Sequence, residues 1–176
     1  MKPTALLATL ALLAAGCAGM TQPSTTDNAA IAELRNASGQ SVGTARLTEV
    51  GAGVQIVLEA RGLPPGVKGV HVHEVGKCDP PGFTTAGGHF NPGKKQHGLQ
   101  NPQGPHAGDL PSLTVAADGN GRLEITNGQI TLKAGETSLF DADGSALVIH
   151  AGPDDFKTDP TGNSGARIAC GVITKK

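Results

Sequence analysis

The run Val70-His71-Val72-His73-Glu74-Val75 constrains this chain more tightly than any other segment. Valine and histidine alternate over 70–73, which reads as a β-strand, and side chains two apart on a strand share a face. Both imidazoles therefore aim at one place. His89, His97 and His106 follow along a Gly/Pro-rich stretch, then Asp109, and His150 closes the series after another apolar run. The chain has six histidines, and every one belongs to this series. Imidazole is a good ligand for zinc and copper, and a carboxylate beside three imidazoles suits zinc.

The remainder of the chain is β in character. Gly 26 and Pro 12, against four Phe and no Trp or Tyr, argue for many turns joined by short aliphatic strands. Alternation predicts strands over 31–36, 41–50, 54–60, 69–75, 112–117, 122–126, 146–149 and 168–173. Gly51-Ala52-Gly53 and Asp118-Gly119-Asn120-Gly121 read as turns, and Gly62-Leu63-Pro64-Pro65-Gly66 as a longer connection. No long segment has a 3.6-residue period, so no substantial helix is expected. Two stretches, 76–110 and 151–166, break the rhythm as long loops, and the first carries four of the seven candidate ligands. Loops of that length are usually functional or disordered, and metal binding would order the first. The 176 residues suit one domain, and a net charge of -1 gives no case for a nucleic-acid partner.

The N-terminus reads as an export signal. Lys2 is a short basic start, 5–15 is an apolar stretch too short to span a bilayer, and small residues follow through position 19. Leu13-Ala14-Ala15-Gly16-Cys17 resembles the lipobox of bacterial lipoproteins, departing from it at Ala14, where leucine is commonest. Lipidation of Cys17 would anchor the exported, periplasmic protein to a membrane; an ordinary signal, cleaved together with Cys17, is the alternative. Residues 20–29 are polar and aperiodic, as a flexible tether would be, leaving 30–176 as the folded domain. Of the three cysteines, Cys78 and Cys170 lie in that domain and can pair in an oxidising compartment, or remain two buried thiols.

Ligand number adds a constraint. Two ions with about four protein ligands each need eight positions, and the series supplies seven residues. A histidine lying between the ions could serve both through its two ring nitrogens. His89, in Gly87-Gly88-His89-Phe90-Asn91-Pro92, is the natural bridge; a water or another carboxylate would fill the count equally well.

From about residue 30 onward the chain resembles the bacterial exported copper,zinc superoxide dismutases. The resemblance rests on His71-Val72-His73, the Gly87–Pro92 segment, Pro105-His106-Ala107-Gly108-Asp109-Leu110-Pro111 and Val148-Ile149-His150. It continues through Gly162-Asn163-Ser164-Gly165-Ala166-Arg167-Ile168-Ala169-Cys170-Gly171-Val172-Ile173. It implies an eight-stranded Greek-key β-barrel, a sandwich of immunoglobulin-like architecture with two long functional loops. It implies one copper per subunit on His71, His73, His89 and His150, and one zinc on His89, His97, His106 and Asp109. Asp154 matches a carboxylate linking His71 to His97, Arg167 an anion-guiding cation, and Thr161 a channel-narrowing position. The implied reaction turns two superoxide ions into dioxygen and hydrogen peroxide at copper, with His89 as proton carrier. Lys94 and Lys95 either extend the positive funnel or are merely solvated. Relatives occur as monomers and as homodimers.

Two other classes compete. A metal-carrying module would explain the ligands and the tether, but gives no reason for Arg167. A dinuclear zinc hydrolase would want carboxylate- or water-bridged ions and a general base, and only Asp109 is well placed.

Overall fold

The computed structural model describes Met1 and residues 28–176. Cys17, the expected signal segment after Met1 and the expected tether up to residue 27 lie outside the described residues. The strands are β1 Ala29–Asn36, β2 Ser41–Val50, β3 Gly53–Ala60, β4 Gly66–Lys68, β5 Val70–His73, β6 Leu113–Val115, β7 Gly121–Asn127, β8 Ala146–His150 and β9 Arg167–Lys175. β1 takes in Ala29, the last residue of the expected tether, which pairs with Thr48 and accepts a hydrogen bond from Lys176 N. Among the described residues there is no α-helix; Thr84–Ala86 forms a 3-10 turn.

The strands join in one antiparallel sheet of order β4-β6-β7-β3-β2-β1-β9-β8-β5. Its two outer strands are consecutive in the chain, with Gly69 alone between them. The sheet therefore curls back on itself into a nearly closed all-β barrel, and β4 with β5 is one bent strand that changes partner at its middle. Counted that way, the expected eight strands are all present. Gly69 is required at the bend, since a Cβ there would lie 2.6 Å from Ser164 Oγ.

Alternation in the sequence becomes an inside and an outside. Leu34, Leu47, Ile56 and Leu58 point inward and are fully buried; each such side chain contributes roughly 1.5–3 kcal/mol. The segment between β7 and β8 has no strand, yet Ile130, Leu132 and Leu139 turn into the same core. On β5 and β8, Val70, Val72, Leu147 and Ile149 face that core, while His71, His73 and His150 occupy the other face.

Both long loops cover this outer face. The first runs beside β5 as a pseudo-strand, with bridges His71↔Asp109 and His73↔His89. Val72 N donates to Gly108 O, Phe90 N to Val72 O and Glu74 N to Gly88 O at 2.9–3.0 Å. Backbone pairing thus orders the loop in addition to any bound ion. A small second core of Phe83, Ala86, Ala146, Val148 and Cys170 fastens the loop's beginning to β8. Cys78 and Cys170 form a disulfide across 92 residues.

Candidate metal centre

Six imidazoles and two carboxylates meet on the outer face of β5 and β8. His71 and His73 come from β5, His150 from the end of β8, His89, His97, His106 and Asp109 from the first loop, and Asp154 from the second. All eight are buried.

Four ring nitrogens at the centre of this group have no hydrogen-bond partner: His71 Nδ1, His73 Nε2, His89 Nε2 and His150 Nε2. Ligand atoms of these four residues lie within 4.8 Å of one another. Nitrogens on opposite sides of an ion with bonds of about 2.0–2.1 Å stand roughly 4 Å apart. Burying four lone pairs without partners is costly unless something fills the space between them. The opposite nitrogens are held: His71 Nε2 by Asp154 Oδ2 at 2.6 Å, His73 Nδ1 by Gly87 O at 3.0 Å, and His150 Nδ1 by Gly165 O at 3.1 Å. A ring donating N–H to a carbonyl or carboxylate keeps its lone pair on the far nitrogen, which orients it as a ligand. The residues fit a metal ion here.

A second convergence lies beside it. Asp109 Oδ1 stands 3.0 Å from His89 Nδ1, 3.0 Å from His97 Nδ1 and 3.5 Å from His106 Nδ1, and His106 Nδ1 stands 3.4 Å from His89 Nδ1. In a tetrahedral zinc site with bonds near 2.0–2.1 Å, neighbouring ligands are about 3.3 Å apart. These contacts are therefore better understood as edges of an ion site than as hydrogen bonds. His71 also falls near this cluster, but its nitrogens serve the first site and Asp154, so His106 completes the second. Asp109 Oδ2 is held by Gly98 N at 2.9 Å and His106 N at 3.0 Å, which turns Oδ1 inward. His89 alone presents one nitrogen to each cluster.

Asp154 joins the two. Its Oδ2 accepts from His71 and its Oδ1 from His97 Nε2 at 3.0 Å and Phe156 N at 2.7 Å. Gly162, at φ +62°, backs onto this bridge, and a Cβ there would overlap Asp154 Oδ1 and His97 Nε2.

Burial, aided by neighbouring rings, holds His71 at about 3, His73 at about 2 and His150 at about 4, so these imidazoles are neutral at physiological pH. Burial also holds His89 below the usual value, with Asp109 opposing it. Burial pulls His97 the same way, yet hydrogen bonds to Asp109 and Asp154 outweigh it and raise His97 to about 9. Burial would raise both carboxylates, but their imidazole and backbone donors win and hold them far below the ordinary range.

The first cluster opens onto a cleft of about 730 Å³ whose walls include His73, His89, His150, Lys95, Thr161 and Arg167. Arg167 faces His150 across the β8–β9 ladder, and its Nη1 and Nη2 donate to Phe83 O and Gly87 O, each at 2.7 Å. Gly87 O thus receives both Arg167 and the His73 ring. Thr161 lies exposed at the rim. Lys95 lines the cleft, its backbone clamped by the Asn91 side chain at 2.8 and 3.0 Å, while Lys94 lies outside the lining.

Several contributors escape sequence reasoning. Gly87 and Gly165 act through carbonyls, Gly162 through lacking a side chain, and Asp159 by accepting from His97 N at 2.6 Å. Their residue types carry no signal; only loop geometry reveals them.

Comparison with known proteins agrees with this geometry. The family model described as Copper/zinc superoxide dismutase (SODC) matches residues 41–173. Cu-Zn superoxide dismutase 1 of Aquifex aeolicus is 54% identical over 144 residues, 81% of this chain and 85% of that protein. A solved superoxide dismutase-like protein from Bacillus subtilis superposes with a TM-score of 0.78 at 43% identity, covering 81% of this chain and 96% of that one. The Cu/Zn superoxide dismutase from Brucella abortus gives a TM-score of 0.69 at 32% identity, covering 83% and 99%. With a matching family profile, close relatives and two adjoining clusters that share one histidine, the chain belongs to the copper/zinc superoxide dismutase family.

Proposed function

We propose that this protein is a copper,zinc superoxide dismutase, converting two superoxide ions and two protons to dioxygen and hydrogen peroxide. The observation that carries this reading is His89, which offers Nε2 to three other partnerless imidazole nitrogens and Nδ1 to a cluster of two imidazoles and a carboxylate. His71 Nδ1, His73 Nε2, His89 Nε2 and His150 Nε2 would hold copper. His89 Nδ1, His97 Nδ1, His106 Nδ1 and Asp109 Oδ1 would hold zinc.

Bound copper supplies one-electron redox chemistry, and zinc, which has no accessible second oxidation state, supplies charge and structure. The chain's own groups do the rest. Arg167, fixed by two carbonyls, presents a permanent cation that draws superoxide to the cleft floor. Thr161 narrows the approach. His89 Nε2 takes up a proton in the first half-reaction and delivers it to the second superoxide as it is reduced. With His89 Nδ1 committed to the second cluster beside Asp109 Oδ1, the ring would keep its place through the cycle. Asp154 holds the His71 and His97 rings in register.

The N-terminal pattern supports export to the periplasm and anchoring to a membrane through lipidated Cys17. The oligomeric state in this reading is monomer or homodimer. Elemental analysis with a superoxide-decay assay tests the activity: one copper and one zinc per chain and rapid decay are expected, and metal-loaded protein without decay refutes it. Mass spectrometry of membrane fractions tests the anchor, and an unmodified mature N-terminus refutes it.

A further inference from the structure

We infer that Asp159 is a positioning residue of the second metal cluster, whose carboxylate keeps the His106 ring turned with Nδ1 inward and so retards escape of zinc into the cleft. This rests on the proposed zinc site of His89, His97, His106 and Asp109.

The outer nitrogen of each ring faces a carbonyl or a carboxylate. His71 Nε2 and His97 Nε2 go to Asp154, His73 Nδ1 to Gly87 O and His150 Nδ1 to Gly165 O. His89 is committed at both ends. The remaining nitrogen, His106 Nε2, faces Asp159 Oδ1 at 3.6 Å. That is longer than a hydrogen bond, so the carboxylate charge acts on the N–H dipole of a neutral ring. A carboxylate on that side favours the tautomer with the proton on Nε2, leaving the Nδ1 lone pair for an ion.

Location makes His106 the ring most in need of such help. It lines the cleft together with Asp159, whereas His97 and Asp109 do not. The Asp159 side chain is 45% exposed and that of His106 6%, so the carboxylate is the solvent-facing member of the pair. The same oxygen accepts from His97 N at 2.6 Å, which fixes its position and ties a second ligand of this cluster to the loop between β8 and β9. Asp154, five residues earlier, couples the two clusters from within; Asp159 closes the second from outside.

The test uses the full metal-loaded protein and the variants Asp159→Asn and Asp159→Ala. Asparagine keeps an oxygen for His97 N but removes the charge. The first readout is the rate of zinc transfer to a chromogenic chelator; the second is the visible spectrum after cobalt(II) replaces zinc. Zinc loss about tenfold faster in both variants, with an altered cobalt spectrum and copper content unchanged, is expected, the usual scale for groups that orient metal ligands. Wild-type zinc loss in Asp159→Asn overturns the inference, even if Asp159→Ala loses zinc, because the residue would then be only a backbone prop. Failure of the wild-type chain to hold zinc at all would instead remove the zinc-site reading on which the inference stands.

Discussion

His150 and Arg167 stand opposite each other across the β8–β9 ladder, where the register shifts between Ile149 and His150. Bulges re-aim side chains, and this one brings a cleft-lining imidazole and a fixed cation to the same wall. Arg167→Ala should therefore slow superoxide decay by about tenfold, since a charge pair near 4 Å is worth about 1–4 kcal/mol between bulk water and a partly solvated site. Salt dependence of the rate should weaken as well, with copper retained. Undiminished turnover at low salt would remove the role assigned to Arg167.

His89 offers one nitrogen to each cluster, and a shared imidazolate couples two unpaired spins. Protein with copper in both sites should show magnetic coupling by electron paramagnetic resonance. Two independent copper signals would mean that the ring does not span the ions.

Gly162 backs onto the Asp154–His97 contact at φ +62°. Gly162→Ala should lose about 1–3 kcal/mol to backbone strain alone and should also displace Asp154, lowering metal content at both sites. Denaturant unfolding with elemental analysis reads both effects; full metal occupancy in the variant would show that the bridge tolerates displacement.

The Cys78–Cys170 disulfide closes 92 residues and packs beside Phe83, whose carbonyl holds Arg167. Replacing both cysteines by serine should cost on the order of 2–5 kcal/mol of stability. It should also lower turnover, because the loop that orients Arg167 is released. Stability loss with unchanged turnover per copper would separate the disulfide from Arg167.

Metal-free protein should be most stable near pH 6.5. His71, His73 and His150 sit at about 3, 2 and 4 when folded against 6.5 as the ordinary value. As pH falls below 6.5 the unfolded chain binds protons that the folded chain refuses, so stability falls, by up to about 1.4 kcal/mol per proton per pH unit. His97, raised to about 9, acts oppositely: its contribution is present below 6.5 and lost as pH rises through 9. Melting temperatures at pH 5, 6.5 and 8.5 check this, and a higher value at pH 5 than at 6.5 contradicts it.

Much of the centre was legible because strand periodicity commits side chains locally. His71 and His73 share a face whatever the rest of the chain does, and apolar alternation marks β2 and β3 within a residue of their ends. The segment before β8 was not legible, because Ile130, Leu132 and Leu139 reach the core without strand alternation. Nor was the division of β4 from β5, which appears only as a change of partner, β4 pairing with β6 and β5 with β8.

The amino-acid order alone determined the all-β class, the set of candidate ligand residues and their shortfall of one, since these follow from residue type and spacing; the barrel was implied only by the family resemblance. Tertiary structure decided which nitrogen of each ring points inward, that His89 is the shared ring, and that Gly162, Gly87, Gly165 and Asp159 support the centre. The physical reason is that ring orientation is set by the acceptor behind it, and those acceptors arrive from loops distant in the chain.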